Sequence, residues 1–289
     1  MTRGYYTMAS GSEKYYALAR TLLLSFKCFS KDPLPFAIIC DRENEYTGLF
    51  DKVVIIDNPV FNFADKLRLL DLAPFDESIY IDPDSLVYRD LSGLWDFFQG
   101  SHPFMAFGER LPKDSPRRWY LPENIGSLED RIDNVVHLQG GLYYVRKAEL
   151  SGFLSTSRQI ALHYRDYHFK FYPDLLTEEN TFSLACALHG YLPPCNWPAV
   201  FCYYPDSYAG VFDIRKGLVR ARRKYNGENI SGSFFVHWGT VNTNSWTYRR
   251  EAYVVSCVYN RAKPSYLKMA MIWIASHLSR IFLWPMSLI

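Results

Sequence analysis

Short, nearly unbroken apolar runs alternate with stretches of helical spacing through the first third of the chain. That alternation leaves few folds open. Residues 4–8 (GYYTM) predict a strand, and Ser12 is placed to cap a helix from Glu13 to about Phe29, where "YYALARTLLLSF" repeats apolar residues at helical intervals. "PFAIICD" (35–41) and "KVVIID" (52–57) are short, nearly continuous β-branched runs, the pattern of strands buried on both faces. "NFADKLRLLDLAPF" predicts a second helix, ended by Pro74, and Ser78–Ile81 then alternates as a strand. Strand, helix, strand, strand, helix, strand is the order of an α/β domain with a largely parallel central sheet. The 289 residues are 48% hydrophobic and 21% charged, which supplies a sizeable core and excludes general disorder.

Beyond Gly100 the pattern loosens. "PFMAFGE" predicts a strand, 109–134 is a Pro/Arg-rich connection, and "VVHLQGGLYYV" (135–145) returns to strand character. "KAELSGFLSTSRQIALHYRDY" and "TEENTFSLACALHGY" predict helices, and "SFFVHW" a late strand. No internal repeat or linker separates these segments. The expectation is one domain over 1–262 with an elaborated second half, followed by a C-terminal amphipathic helix in 263–289.

A net charge of +2 gives no reason to expect nucleic acid. The run "RKGLVRARRK" (215–224) nevertheless gathers six positive charges with no acid, which suits either a solvated loop or an anionic membrane surface. Six scattered cysteines without a CxxC pair form neither a zinc site nor a disulfide framework, and fit a reduced, cytoplasmic setting. "MTRGYYTMASG" lacks the apolar stretch of a signal peptide. The segment "YLKMAMIWIASHLSRIFLW" (266–284) is strongly apolar but interrupted by Lys268, His277 and Arg280, and its longest uncharged run is too short to span a bilayer. A helix in the membrane interface and a helix packed on the domain are the two readings, and both stay open.

At the end of the run SIYI stands Asp82-Pro83-Asp84. Side chains two residues apart in an extended segment point to the same side, so the two carboxylates converge. Pro83 biases Asp82 toward the extended region. Two bare anions this close repel, and a divalent cation removes the repulsion. Oxygen ligands favour magnesium, calcium or manganese, ions that complete their shells with substrate phosphates. Alone, an Asp-x-Asp is a weak motif and is also read as a capping turn.

The strand-end Asp-x-Asp, the lysine before it in "FADKLRLLDLAPFDESIYIDPDSLV" and the "LSGLWDFF" after it resemble the GT-A glycosyltransferases. The likeness is to glycosyltransferase family 8, which includes glycogenin and bacterial lipooligosaccharide galactosyltransferases. It covers most of 4–240 as an ordered series of segments. It implies a Rossmann-like nucleotide-sugar fold, a manganese or magnesium ion, a UDP-sugar donor, and transfer to a glycan or glycolipid acceptor. In "YYTMASGSEKYYALARTLLLSF" it puts Thr7, Met8 and Ala9 along the uridine and Tyr15 against the base. Lys66 becomes a nucleotide-sugar contact. "LQGGLYYV" is similar to an Asn-Ser-Gly strand, with Gln139 in the asparagine's place. "TEENTFSLA" resembles an Asp-Gln helix start near the donor sugar and points to Glu178 and Glu179. "FFVHWGT" is similar to the strand that ends in a metal-binding histidine, here His237, with Gly239 close by; the metal set is then Asp82, Asp84 and His237.

The departures are specific. The family's lysine after the histidine is missing from "HWGTVNTNSW", which leaves Asn242, Asn244 or a base of 215–224 to replace it on the diphosphate. Gln139 and Glu178 also differ from the family's residue types. The implied chemistry retains the anomeric configuration, with Gln139 or Glu178 steadying a cation-like sugar. No single base for inversion stands out among Glu109, Asp114 and Asp133. Aromatics such as Trp119, Tyr120, Trp197 and Trp246 are candidates to stack on acceptor sugars. A sugar nucleotidyltransferase and a non-catalytic binding or scaffold protein of the same fold are the alternatives.

Overall fold

The computed structural model describes residues 1–98, 102–115, 131–193, 200–202, 208–224, 227 and 229–283. Trp119, Tyr120, Trp197 and Trp284 lie outside them. In chain order the elements are β1 (Arg3–Ala9), α1 (Glu13–Phe29), β2 (Phe36–Cys40), β3 (Lys52–Ile55), β4 (Glu77–Ile81), β5 (Ser85–Val87), β6 (Phe104–Pro112), β7 (Asn134–Arg146), α2 (Ser151–Leu162) and α3 (Glu178–His189). They continue with β8 (Val200–Cys202), β9 (Tyr208–Asp213), β10 (Leu218–Arg223), β11 (Asn229–Ser231), β12 (Phe235–His237), α4 (Trp246–Tyr259) and α5 (Tyr266–Leu283).

The chain forms two compact units. The first comprises Met1–Tyr16, Leu34–Asp82 and Trp95–Trp197. Its six-stranded sheet runs β3-β2-β1-β4-β7-β6, with β3, β2, β1 and β4 parallel and β7 and β6 antiparallel to their neighbours. This is the mostly parallel α/β sheet expected from the alternation. Strand β2 is buried along its whole length, as its unbroken FAIIC predicts. Strand β3 is not covered on both faces: it is the edge strand, and Lys52 and Ile55 are exposed. A β-branched run alone does not separate a central strand from an edge one.

Residues Phe63–Leu69 depart from the expected α-helix and form a 3-10 helix. Asn62 accepts the Ala64 N–H, while buried Asp65 turns back to accept the N–H groups of Val60 (3.0 Å) and Phe61 (2.8 Å). These side-chain bonds satisfy backbone donors in a tight turn and compete with a regular helical start. The core on the α3 side of the sheet is aromatic. Phe104 stacks on Phe153 with centroids 4.4 Å apart and tilts against Phe182 at 5.1 Å. All three are fully buried, and truncating one to alanine costs about 3–5 kcal/mol.

The second unit comprises Ala17–Pro33, Pro83–Leu94 and Pro198–Ile289. A three-stranded sheet, β5-β12-β8, pairs β12 antiparallel to β5 and parallel to β8. Ser25 of α1 accepts the Val87 N–H at 2.9 Å and so ties the helix to β5. A second sheet, β11-β10-β9, contains the basic run: 215–224 is not a loop but a short turn and strand β10. Val219 and Ala221 are buried while Arg220 and Arg222 face solvent, the two-residue alternation of a strand with one wet face.

Candidate active site

Backbone pairing brings the metal-type side chains together. Strand β4 ends at Ile81, and the Asp82 N–H donates to the Gly141 carbonyl of β7 (3.1 Å). Two residues on, β5 pairs with β12 so that Ser85 lies opposite His237, and the Trp238 N–H donates to the Asp84 carbonyl (3.1 Å). One ligand atom each from Asp82, Asp84 and His237 falls within 4.8 Å of the others. His237 Nε2 lies 3.0 Å from Asp84 Oδ1. That oxygen is buried and has no well-angled hydrogen bond among the described residues; Oδ2 accepts from Thr240 Oγ1 at 3.0 Å. Two carboxylates and an imidazole, with a buried oxygen unsatisfied beside the ring nitrogen, fit a hard divalent ion such as Mn2+ or Mg2+. Thr240 was not foreseen, since nothing in its spacing marks it.

Asp82 is also the head of a buried charge cluster. Lys66 Nζ lies 2.8 Å from its Oδ1 and 2.9 Å from its Oδ2, and Tyr80 donates its hydroxyl to Oδ1 at 2.5 Å. Tyr80 precedes Asp82 by two residues and so shares its face of the extended chain, a signal that period-two spacing carries. Lys66 Nζ also reaches Glu178 Oε1 at 3.1 Å. The lysine expected on the donor therefore stands between two carboxylates. Burial alone would lower its pKa, but Asp82 and Glu178 outweigh burial and hold the ammonium well above the usual lysine value. Burial pushes the Glu178 carboxyl up, and although Lys66 pulls it down, the charge of Asp82 adds to the rise. Two acids share one base, an arrangement that suits a site that grips cations or a developing positive charge.

Glu178 and Glu179 open α3, where Thr177 caps the helix by accepting the Asn180 N–H. A helix start favours acids through its dipole. Here each acid also has a specific partner. Glu179 Oε1 accepts the Gly140 N–H at 2.8 Å. A side chain at Gly140 would place its Cβ 2.4 Å from that oxygen, so the glycine leaves the room the carboxylate occupies. Gln139, next along β7, is half-buried.

The nucleotide-side candidates are placed differently. The ladder of β1 with β4 stops at Tyr6–Tyr80, while its ladder with β2 continues to Ala9–Cys40. Thr7, Met8 and Ala9 thus extend past the β4 pairing at the carboxyl end of the strands, where ligands of such sheets bind. Their side chains are buried, and Thr7 Oγ1 has no hydrogen-bond partner among the described residues. Tyr15 is partly exposed on the first turn of α1. The β1–α1 loop is held by Asp41, whose Oδ1 accepts both the Gly11 N–H (2.9 Å) and the Tyr16 hydroxyl (2.6 Å).

Gly239 follows His237 with a φ of +67°, a conformation that favours glycine. The two asparagines considered as substitutes for the missing lysine are engaged: Asn242 donates to the Trp238 carbonyl (2.7 Å), and Asn244 accepts from Arg249 (2.9 Å). Trp246, half-buried, begins α4.

No protein-family model matches the chain, and no curated protein matches it. Solved structures do. A galactosyltransferase, LgtC, determined in complex with donor and acceptor sugar analogues, superposes with a TM-score of 0.53 at 13% identity, covering 93% of this chain and 99% of that one. An active-site mutant of LgtC gives the same score and identity over 94% and 99%. The apo structure of the bifunctional glycosyltransferase WbbM gives 0.52 at 10% identity, over 90% of this chain and 52% of that one. At such identities it is the fold that is shared, and that fold is the GT-A fold of LgtC.

Proposed function

We propose that this protein is a metal-dependent glycosyltransferase that moves a sugar from a UDP-sugar to a glycan or glycolipid acceptor with retention of anomeric configuration. The observation that carries the reading is the convergence of Asp82, Asp84 and His237 just past the carboxyl end of β4 in a GT-A fold. Mn2+ or Mg2+ bound by these three would supply a Lewis acid for the charge that builds on a leaving diphosphate.

The chain's own residues do the rest. Lys66 holds Asp82 and Glu178 in a fixed arrangement and keeps its charge on the donor side. Glu178, buried at the start of α3, faces the region where an oxocarbenium-like sugar gathers positive charge, so its contacts strengthen in the transition state. Glu179, anchored on Gly140, and Gln139 line the same part of β7 and α3. Thr7, Met8, Ala9 and Tyr15 supply the uridine side and Gly239 the diphosphate side. In retention the departing diphosphate itself takes the acceptor's proton, so no separate base is required.

Incubation with labelled nucleotide sugars, Mn2+ and a set of glycan acceptors tests the reading. A new glycoside with release of nucleoside diphosphate supports it. Pyrophosphate formed from a sugar phosphate and a nucleoside triphosphate marks a nucleotidyltransferase instead, and no turnover marks a binding protein.

We further read the protein as cytoplasmic and peripheral on a membrane face. No helix among the described residues is long and apolar enough to cross a membrane. On α5, however, Leu267, Met271, Ile274 and Leu278 recur at helical spacing and are all exposed, with Tyr266 and Trp273 beside them. From Lys263 onward the chain has no acidic residue. An apolar stripe without acids, together with the arginines on the wet face of β10, suits an anionic lipid surface.

A further inference from the structure

Two loops of the first unit share a combination that packing does not explain: exposed aromatic rings on strained backbone. In the segment 57–63, Phe61 of the loop and Phe63 at the start of the 3-10 helix are exposed; in the loop 168–175, Phe171 and Tyr172 are exposed. Asn58 and Phe61 in the first, and His168 and Tyr172 in the second, have φ between +49° and +57°. A bulky L-residue pays about 1–2 kcal/mol for that conformation. The strain persists because buried polar groups impose it. Asp65 holds the N–H groups of Val60 and Phe61. Asn180 Nδ2 donates to the Phe171 carbonyl at 2.6 Å, and the Tyr164 hydroxyl to the Tyr172 carbonyl at 3.0 Å.

These anchors belong to the elements that carry the charge cluster. Asn180 lies two residues from Glu178 in the first turn of α3. Phe63 lies three residues before Lys66 in a 3-10 helix, where side chains three apart leave the helix in nearly the same direction. Phe63 and Tyr172 meet at 6.1 Å between centroids, joining the two loops, and Phe61 Cδ1 lies 2.9 Å from where a Cβ on Gly11 would sit. The rings are interleaved with exposed Asp57, Asn58, Asn62, His168 and Asp174. Flat apolar faces edged by short hydrogen-bonding side chains match a pyranose, whose C–H face packs on a ring while its hydroxyls take polar partners. Exposed Asp57 and Asp174 outnumber the exposed Lys170 in these two segments, which argues against an anionic lipid surface here.

We propose that Phe61, Phe63, Phe171 and Tyr172 form a stacking platform for the pyranose ring of the acceptor glycan, set beside the Lys66–Glu178 cluster. The role as acceptor rests on the glycosyltransferase reading; the platform's affinity for sugar does not. The probes are methyl α- and β-galactopyranoside, methyl α- and β-glucopyranoside and lactose. Saturation-transfer NMR is recorded on the full chain with UDP and Mn2+, and the thermal shift on adding UDP and Mn2+ is read in parallel. The wild type should transfer saturation to the ring protons of at least one glycoside. Phe63→Ala and Tyr172→Gly should each weaken that binding about fivefold to tenfold. The UDP shift should not change. Tyr172→Gly also relieves the backbone, so its Tm should stay level or rise, which separates lost stacking from lost folding. No saturation of any glycoside, or equal saturation in wild type and variants, overturns the platform. Variant-sensitive saturation without a UDP shift in the wild type upholds the platform and fails the donor reading alone.

Discussion

Replacing Gly140 with alanine tests how the site holds its second acid. The new Cβ would lie 2.4 Å from Glu179 Oε1, 3.0 Å from its Cδ and 3.1 Å from its Cγ. Gly140 is not among the positive-φ glycines, so the backbone tolerates alanine and the side chain must yield. The half-buried carboxylate can swing away, and what is lost is its charge-assisted bond from the Gly140 N–H, worth about 1.5–3 kcal/mol. At about 2–4 °C per kcal/mol, thermal unfolding should move down by roughly 7 °C. Differential scanning fluorimetry on Gly140→Ala, Glu179→Ala and the double variant closes the cycle. With Glu179 gone, the three atoms nearest a Cβ at 140 are removed, and the cost of alanine there should shrink to under about 0.5 kcal/mol. Transfer by Gly140→Ala should slow while UDP affinity holds. An equal loss of stability in both backgrounds would refute the reasoning, because the clash would then lie with something other than Glu179.

Burial pushes the Asp41 carboxyl up, but the Tyr16 hydroxyl, the Gly11 N–H and the Arg42 charge outweigh it and hold its pKa below the usual range. That contribution is present above the unfolded carboxylate value of about 3.9 and is lost as pH falls through the folded value, so the gap in Tm between wild type and Asp41→Asn should close on acidification below about pH 4. Glu178→Gln should cut the transfer rate with little change in UDP affinity, and proton NMR of the first product from an α-linked donor should show an α-linkage; an initial β-linkage contradicts retention. Truncation before Lys263 should move the protein from sedimenting with anionic vesicles to the supernatant, and wild-type binding should weaken in salt; an unfolded truncate would make α5 a structural element instead.

The parts of the fold that were legible are those where one pattern dominates. FAIIC, ESIYI and the long α1 repeat admit a single reading, and Thr177 before Glu178-Glu179 marks the start of α3. The Phe63–Leu69 stretch misled because its apolar spacing suits an α-helix, whereas Asn62 and Asp65 spend their side chains on the backbone and tighten the turn. Strand β10 was hidden by its charges: six positive residues in 215–224 mask the inward Val219 and Ala221, although the alternation is there. At the site, the local signal of Asp82 and Asp84 was visible because two residues set one face. Thr240 and the Lys66–Glu178 pair depend on segments far apart in the chain, which no spacing records. The exposed rings of Phe61 and Tyr172 lay hidden for another reason. Their meaning comes from φ values and from the hydrogen bonds that impose them.

Calorimetric titration of UDP-galactose and UDP-glucose into the protein, with Mn2+ and with EDTA, tests the central claim most directly when repeated on Asp84→Asn. Asp84 offers the buried oxygen beside His237, so the variant removes a charge from the metal set with almost no change in side-chain size. The account predicts binding of a UDP-sugar with Mn2+, none with EDTA, and loss of the metal-dependent binding in a variant whose circular dichroism matches the wild type. Equal affinity with and without metal, or metal-dependent binding unchanged in Asp84→Asn, would contradict it.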